Sequence, residues 1–220
     1  MDQYTYDTLT TLPLLRGICA ADLVQLLDNT QVRITSIEAG EWWVEQGELC
    51  RRLSSLLRGT MEAKTTAADE SYSVTEIVTA PMTIELDTTY GISTRYAATY
   101  TAIEPCHLLT IEKEAIGRLF STCDVFRINY LNQLSALAAH RQQRGWLSPA
   151  LTLDERIMQL FSLLYRYPNG EKRLQIRMKD IGKRLGASRR LVSEALYRLQ
   201  DKGLLTFRRE HIIIHETPNV

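Results

Sequence analysis

Apolar and polar positions follow two rhythms along the chain. Residues 12–29 open with Leu23, Leu26 and Leu27 at helical spacing after Ala20-Ala21-Asp22, which predicts a short amphipathic helix. From about Gln31 the pattern alternates and is cut by glycine turns at Ala39-Gly40-Glu41 and Gln46-Gly47-Glu48. Further short strands are predicted at Leu53–Leu57, Met61–Thr66, Tyr72–Val78, Arg95–Ile103 and His107–Ile111. Short strands with turns at such close spacing indicate an antiparallel sandwich or barrel.

The rhythm then becomes helical. Glu112–Phe120 reads as a short helix and Asp124–Arg144 as a long one, with Val125 and Phe126 at its start. Tyr130, Leu131, Leu134, Leu137 and Ala138 form its apolar stripe, narrow enough for a seam between two copies, the alternative being a helix packed on its own domain. Charged substitutions at Leu134 and Leu137 are expected to break that seam. Gly145-Trp146-Leu147-Ser148-Pro149 marks a domain boundary. The reading is therefore α+β, with an N-terminal antiparallel sandwich or barrel over 1–122, a long helix over 123–145 and a further domain over 146–220.

That last stretch begins with a helix over Thr152–Tyr167, capped by Thr152 or Asp154, burying Ile157, Leu160, Phe161 and Leu164 and stopped by Pro168-Asn169-Gly170. A second helix, Met178–Leu185, buries Ile181 and Leu185 and ends at Gly186, where a left-handed residue suits a helix stop. Small Ala187 lets two helices cross closely, and Ser188 is placed to cap the next helix. That helix, Arg189–Asp201, buries Val192, Ala195, Leu196 and Leu199, so the opposite face carries Arg189, Arg190, Ser193, Glu194 and Tyr197. Leu204–Phe207 and Ile212–Ile214 then read as a hairpin around Arg208-Arg209-Glu210-His211.

This pattern is a winged helix-turn-helix, and its chemistry suits double-stranded DNA. An α-helix fits the major groove, where arginine can donate twice to guanine and a carboxylate can accept from cytosine. Arg189, Arg190 and Glu194 are the expected base readers. Ser188, Ser193 and Lys179 are expected to position the phosphate backbone, with Lys183, Arg184, Arg208 and Arg209 as further phosphate contacts. Charge supports this division. The chain is neutral overall, but residues 1–140 hold 10 basic and 18 acidic side chains, net −8, while residues 141–220 hold 16 and 8, net +8.

Other chemistry has little support. Cys19, Cys50, Cys106 and Cys123 show no metal-ligand spacing, the four histidines are scattered, and no nucleophile–base set or phosphate-binding glycine loop appears. The chain is not expected to be an enzyme or to hold a cofactor. No apolar run spans a bilayer, and MDQYTYDTLT lacks a secretory pattern, so a cytoplasmic protein without a membrane partner is expected.

With these residues in hand, the chain resembles the Crp/Fnr family of bacterial regulators over roughly residues 10–217. The resemblance is most specific at DIGKRLGASRRLVSEALYRLQDKGLL, and extends to IEAGEWWVEQGE and LLRGTMEA, which look like the glycine turns of a cyclic-nucleotide-binding β-roll. It implies that the domain over 1–122 is a β-roll, that the helix over 123–145 is a dimerisation helix, and that the protein is a homodimer on a palindromic operator, with RNA polymerase as a further partner. Departures are equally informative. Many members place a glutamate four residues before an arginine, and here Arg190 precedes Glu194. Arg177 stands where the first helix of the motif usually has a threonine cap. Glu85 and Arg95 look like the family's ribose and phosphate contacts, but Ile84 and Tyr96 replace the glycine and the small hydroxyl residue beside them. Glu85 and Arg95 are thus either an effector site or a structural pair in an altered pocket. Arg141 and Gln142 replace the small hydroxyls that meet adenine, so the effector is unknown and not expected to be cAMP. Cys19, alone near the N-terminus, sets the chain apart from iron–sulfur members. A small-molecule sensor acting mainly through protein–protein contact is the alternative reading.

Overall fold

The computed structural model describes residues 3–28, 32–145, 152–167 and 170–215. The expected boundary at Trp146–Pro149, the helix stop at Pro168-Asn169 and the end of the first predicted helix at Asn29 lie outside them. Two compact units form, one from residues 1–62 and 78–140, the other from residues 63–77 and 141–220.

The first unit is the β-roll with its flanking helices. Helix α1 (Gln3–Thr10) was not anticipated, because its Tyr- and Thr-rich sequence lacks an apolar stripe. The helix expected over 12–29 is shorter, α2 (Ala20–Leu27). Pro13 and Gly17, the latter at φ 80°, break the stretch before it into turns, and Leu12, Leu14 and Leu15 there enter the core. The alternating region folds as β1 (Val32–Ile37), β2 (Trp42–Val44), β3 (Arg52–Arg58), β4 (Thr60–Thr66), β5 (Tyr72–Thr79), β6 (Met82–Ile84), β7 (Thr99–Ala102) and β8 (Cys106–Glu112). One sheet has the order β1-β8-β3-β6, with β1 antiparallel to β8 from Val32↔Ile111 to Ile37↔Cys106. Strand β7 is shorter than expected, and Arg95 forms only an isolated bridge with Leu49. Helices α3 (Lys113–Thr122) and α4 (Asp124–Gly145) follow, and Phe126 and Tyr130 of α4 enter the core built on Leu23, Leu53, Leu109 and Ile116.

Leu134 and Leu137 of α4, both half-buried, pack against that same core. Among the described residues, the large apolar side chains that α4 leaves exposed are Val125, Ile128, at 53%, and Leu131, at 55%; Ala138 of the predicted stripe is exposed as well.

The second unit holds α5 (Leu153–Leu164), β9 (Lys172–Ile176), α6 (Met178–Leu185), α7 (Arg189–Asp201), β10 (Leu205–Arg208) and β11 (His211–Ile214). Thr152 is the cap of α5, in a reciprocal box with Glu155. The core joins Ile157 and Phe161 to Ile181, Val192, Leu196, Leu199, Leu205 and Ile212. The tip of the β4–β5 hairpin belongs to this unit. Its strand β5 runs antiparallel to β9 from Tyr72↔Ile176 to Glu76↔Lys172, and β9 pairs with β11, which pairs with β10. Assigning all of residues 1–122 to one domain therefore misses an exchange in which residues 63–77 fold with the C-terminal residues. Among the described residues no helix is long and apolar enough to cross a membrane.

Candidate nucleic-acid interface

The geometry of α6 and α7 follows from two glycines and a serine. Gly186 takes φ 64°, ψ 33° and closes α6, a left-handed conformation that costs glycine little. Gly182 allows the close approach expected of Ala187: a Cβ there would meet the Ala187 carbonyl oxygen at 2.5 Å and Val192 Cγ2 at 3.7 Å. Ser188 then caps α7, its Oγ accepting from the Leu191 N–H at 3.3 Å. Arg177, at the position where the family resemblance implies a threonine cap, makes no side-chain cap on α6. It donates instead to Asp180 Oδ2 at 2.7 Å, and that carboxylate raises the pKa of the guanidinium further.

The buried positions of α7 are Val192, Ala195, Leu196 and Leu199, as its periodicity predicted. Arg189, Arg190 and Glu194 are exposed, Ser193 is half-buried and Lys179 is exposed on the first turn of α6. Arg190 Nη1 donates to Glu194 Oε1 at 3.0 Å, with 80% of the arginine and 46% of the glutamate side chain exposed. Beside this face lies a cleft of about 550 Å³ lined by Arg177, Met178, Lys179, Arg189, Arg209 and Glu210. It gathers four cations from the starts of both helices and from the wing. Arg177 and Glu210 were not among the expected site residues, since the sequence gives no sign that the ends of α6 and the wing converge.

Several cations on α6 and α7 have structural work. Arg198 forks onto Asp154, with Nη2 to Oδ1 at 2.6 Å and Nε to Oδ2 at 3.1 Å, and Lys202 Nζ adds a contact at 3.5 Å. These donors, Arg198 first, hold the Asp154 carboxyl below the usual carboxylate range. Arg184 faces the hairpin, with Tyr72 under its guanidinium at 4.8 Å and Ser71 Oγ 3.4 Å from Nη2. The wing is braced to α7 by Tyr197, whose ring meets Phe207 edge-on at 5.0 Å, and by Gln200 Oε1, which accepts from the Phe207 N–H at 3.2 Å. Arg209 turns the wing at φ 56°.

In the first unit Glu85 is buried at φ 39°. Its carboxylate accepts from the Ala97 N–H at 2.8 Å, the Ala98 N–H at 3.0 Å and the Tyr100 hydroxyl at 3.2 Å. Arg95 is exposed and donates from Nη1 to the Gly47 carbonyl at 2.7 Å. Tyr96 is buried, and its hydroxyl donates to the Arg52 carbonyl at 3.2 Å. Burial pushes its phenol well above the ordinary tyrosine range.

Residues 155–219 match the model of the Crp-like helix-turn-helix domain. The chain carries a Crp-like helix-turn-helix. The fold as a whole is similar to that of the catabolite activator protein of Thermus thermophilus, at 17% identity over 92% of this chain and 93% of that one, with a TM-score of 0.50. The chain is also similar to the sensor domain of the transcriptional regulator DNR from Pseudomonas aeruginosa, at 18% identity over 69% of this chain and 97% of that one, with a TM-score of 0.54. A third likeness is to the N-terminal domain of a transcriptional regulator from Streptomyces coelicolor A3(2), at 14% identity over 66% and 99% with a TM-score of 0.51. No curated protein matches by sequence. The expected fold, a β-roll followed by helices and a Crp-like winged helix-turn-helix, is the observed one.

Proposed function

We propose that the protein is a sequence-specific DNA-binding transcription regulator that acts as a homodimer on a palindromic operator. The observation that carries this reading is the exposed Arg189–Arg190–Glu194 face of α7 beside the four-cation cleft. Major-groove reading needs long donors and an acceptor on a protruding helix, with cations flanking it for the phosphates. In this reading Arg189, Arg190 and Glu194 touch base edges. Lys179, Ser188, Ser193, Arg177 and Arg209 fix the backbone. RNA polymerase is the further partner that a regulator of this type engages, and the cytoplasm is where both would be met.

In this reading the second copy packs along α4, which the exposed Ile128 and Leu131, three residues apart on one face, support. Glu85 acts as a bracket for the chain at residues 97–100, since its oxygens are already occupied by donors from that segment. The effector is unknown, and cAMP is not expected to be one. Selection of bound duplexes from a random DNA pool, with and without cAMP, tests the reading. The expected product is an inverted repeat with half-sites about 34–36 Å apart, the same in both arms. A pool that never departs from random sequence would remove the function.

A further inference from the structure

The β4–β5 hairpin is built into the helix-turn-helix unit more firmly than a surface contact requires. Val74 is fully buried in the same core as Leu174 and Phe161. Glu76 and Lys172 form an ion pair at 3.3 Å with side-chain exposures of 2% and 3%. The same carboxylate accepts from the Arg166 N–H at 2.7 Å and the Tyr167 N–H at 2.8 Å. Without the hairpin, β9 would be an open sheet edge carrying a buried ammonium whose carboxylate partner had left, a costly state. The roots of β4 and β5 belong to the other unit, so these two strands are shared.

We propose that residues 71–76 are a positioning element of the DNA reader: docked on β9 they hold α6 and α7 in the reading form, and their release disarms it. This inference rests on the DNA-reading function proposed above. Glu76 is the latch, because removing its charge leaves Lys172 facing a neutral group in a dry site. Tyr72 and Ser71 carry the effect to α6 through Arg184 in its last turn.

The test uses the full chain and the operator selected above. Ser73 and Gln175 are direct partners across β5 and β9. Opposite residues of an antiparallel pair lie about 4.5–5.5 Å apart, within the span of a disulfide. Glu76→Gln is expected to bind operator about tenfold more weakly, with faster amide exchange in β9 and unchanged exchange in β1 and β8. In the Ser73→Cys/Glu76→Gln/Gln175→Cys variant, oxidation is expected to restore binding to within about twofold of wild type and reduction to abolish the recovery. Wild type carried through the same oxidation controls for the four native cysteines. Wild-type affinity in Glu76→Gln, or no recovery on oxidation of the triple variant, overturns the positioning role. A wild type with no DNA preference instead removes the reader itself and this role with it.

Discussion

Arg190 and Arg198 lie on one helix, two turns apart, with opposite fates. Arg198 is spent on a forked bond to a nearly buried Asp154 and ties α7 to the start of α5. Arg190 stands in solvent and shares only an exposed contact with Glu194. Such an i,i+4 surface pair is worth about 0.3–0.5 kcal/mol, so guanine can draw the guanidinium away at little cost. Asp154 has a consequence for pH. Its folded pKa lies below the ordinary carboxylate value, so its stabilisation is complete above about pH 4 and fades as the pH falls towards the lowered value. Asp154→Asn is expected to lose that stabilisation at neutral pH and to narrow its deficit against wild type in strong acid. Chemical denaturation of both proteins across an acid series measures this, and a deficit that stays constant with pH would contradict it.

At the scale of elements, α4 shows how a stripe read from sequence can divide in three dimensions. Tyr130, Leu134 and Leu137 turn inward, whereas Leu131 and Ala138 of the same stripe turn outward, with Ile128 beside Leu131. The sequence merges them because positions three and four apart share a face whether they meet the chain's own core or solvent. Ile128→Glu/Leu131→Glu is expected to sediment as a folded monomer, while charges at Leu134 and Leu137 are expected to unfold the β-roll. A double outward variant that remains dimeric would refute the seam. The helix-turn-helix was legible because its signals are local: a glycine stop, a serine cap and four buried positions in three turns. Strand β9 was not legible, since its inward position 172 is a lysine whose partner lies 96 positions away in the chain. Helix α2 was overextended because Pro13 and Gly17 carry more weight than the leucines around them.

At the scale of the molecule, the division of charge into net −8 and net +8 halves falls near the onset of the second unit, and the fold then concentrates part of the positive half in one cleft. Composition foretold the sign of that surface, but the contribution of residues 63–77 to the unit bearing it depends on strand pairing that no local pattern encodes. A cationic cleft alone binds any duplex, and its affinity falls steeply with salt. Reading sequence requires in addition that the Arg190 face discriminate between bases. The decisive measurement is therefore a titration of wild type and Arg190→Ala against the selected operator and its single-base variants over a salt series. Wild type is expected to weaken with salt yet keep its preference, and Arg190→Ala to lose about 1–3 kcal/mol of discrimination at one base pair in each half-site with the salt slope unchanged. Identical rankings of the variants by both proteins would contradict the account.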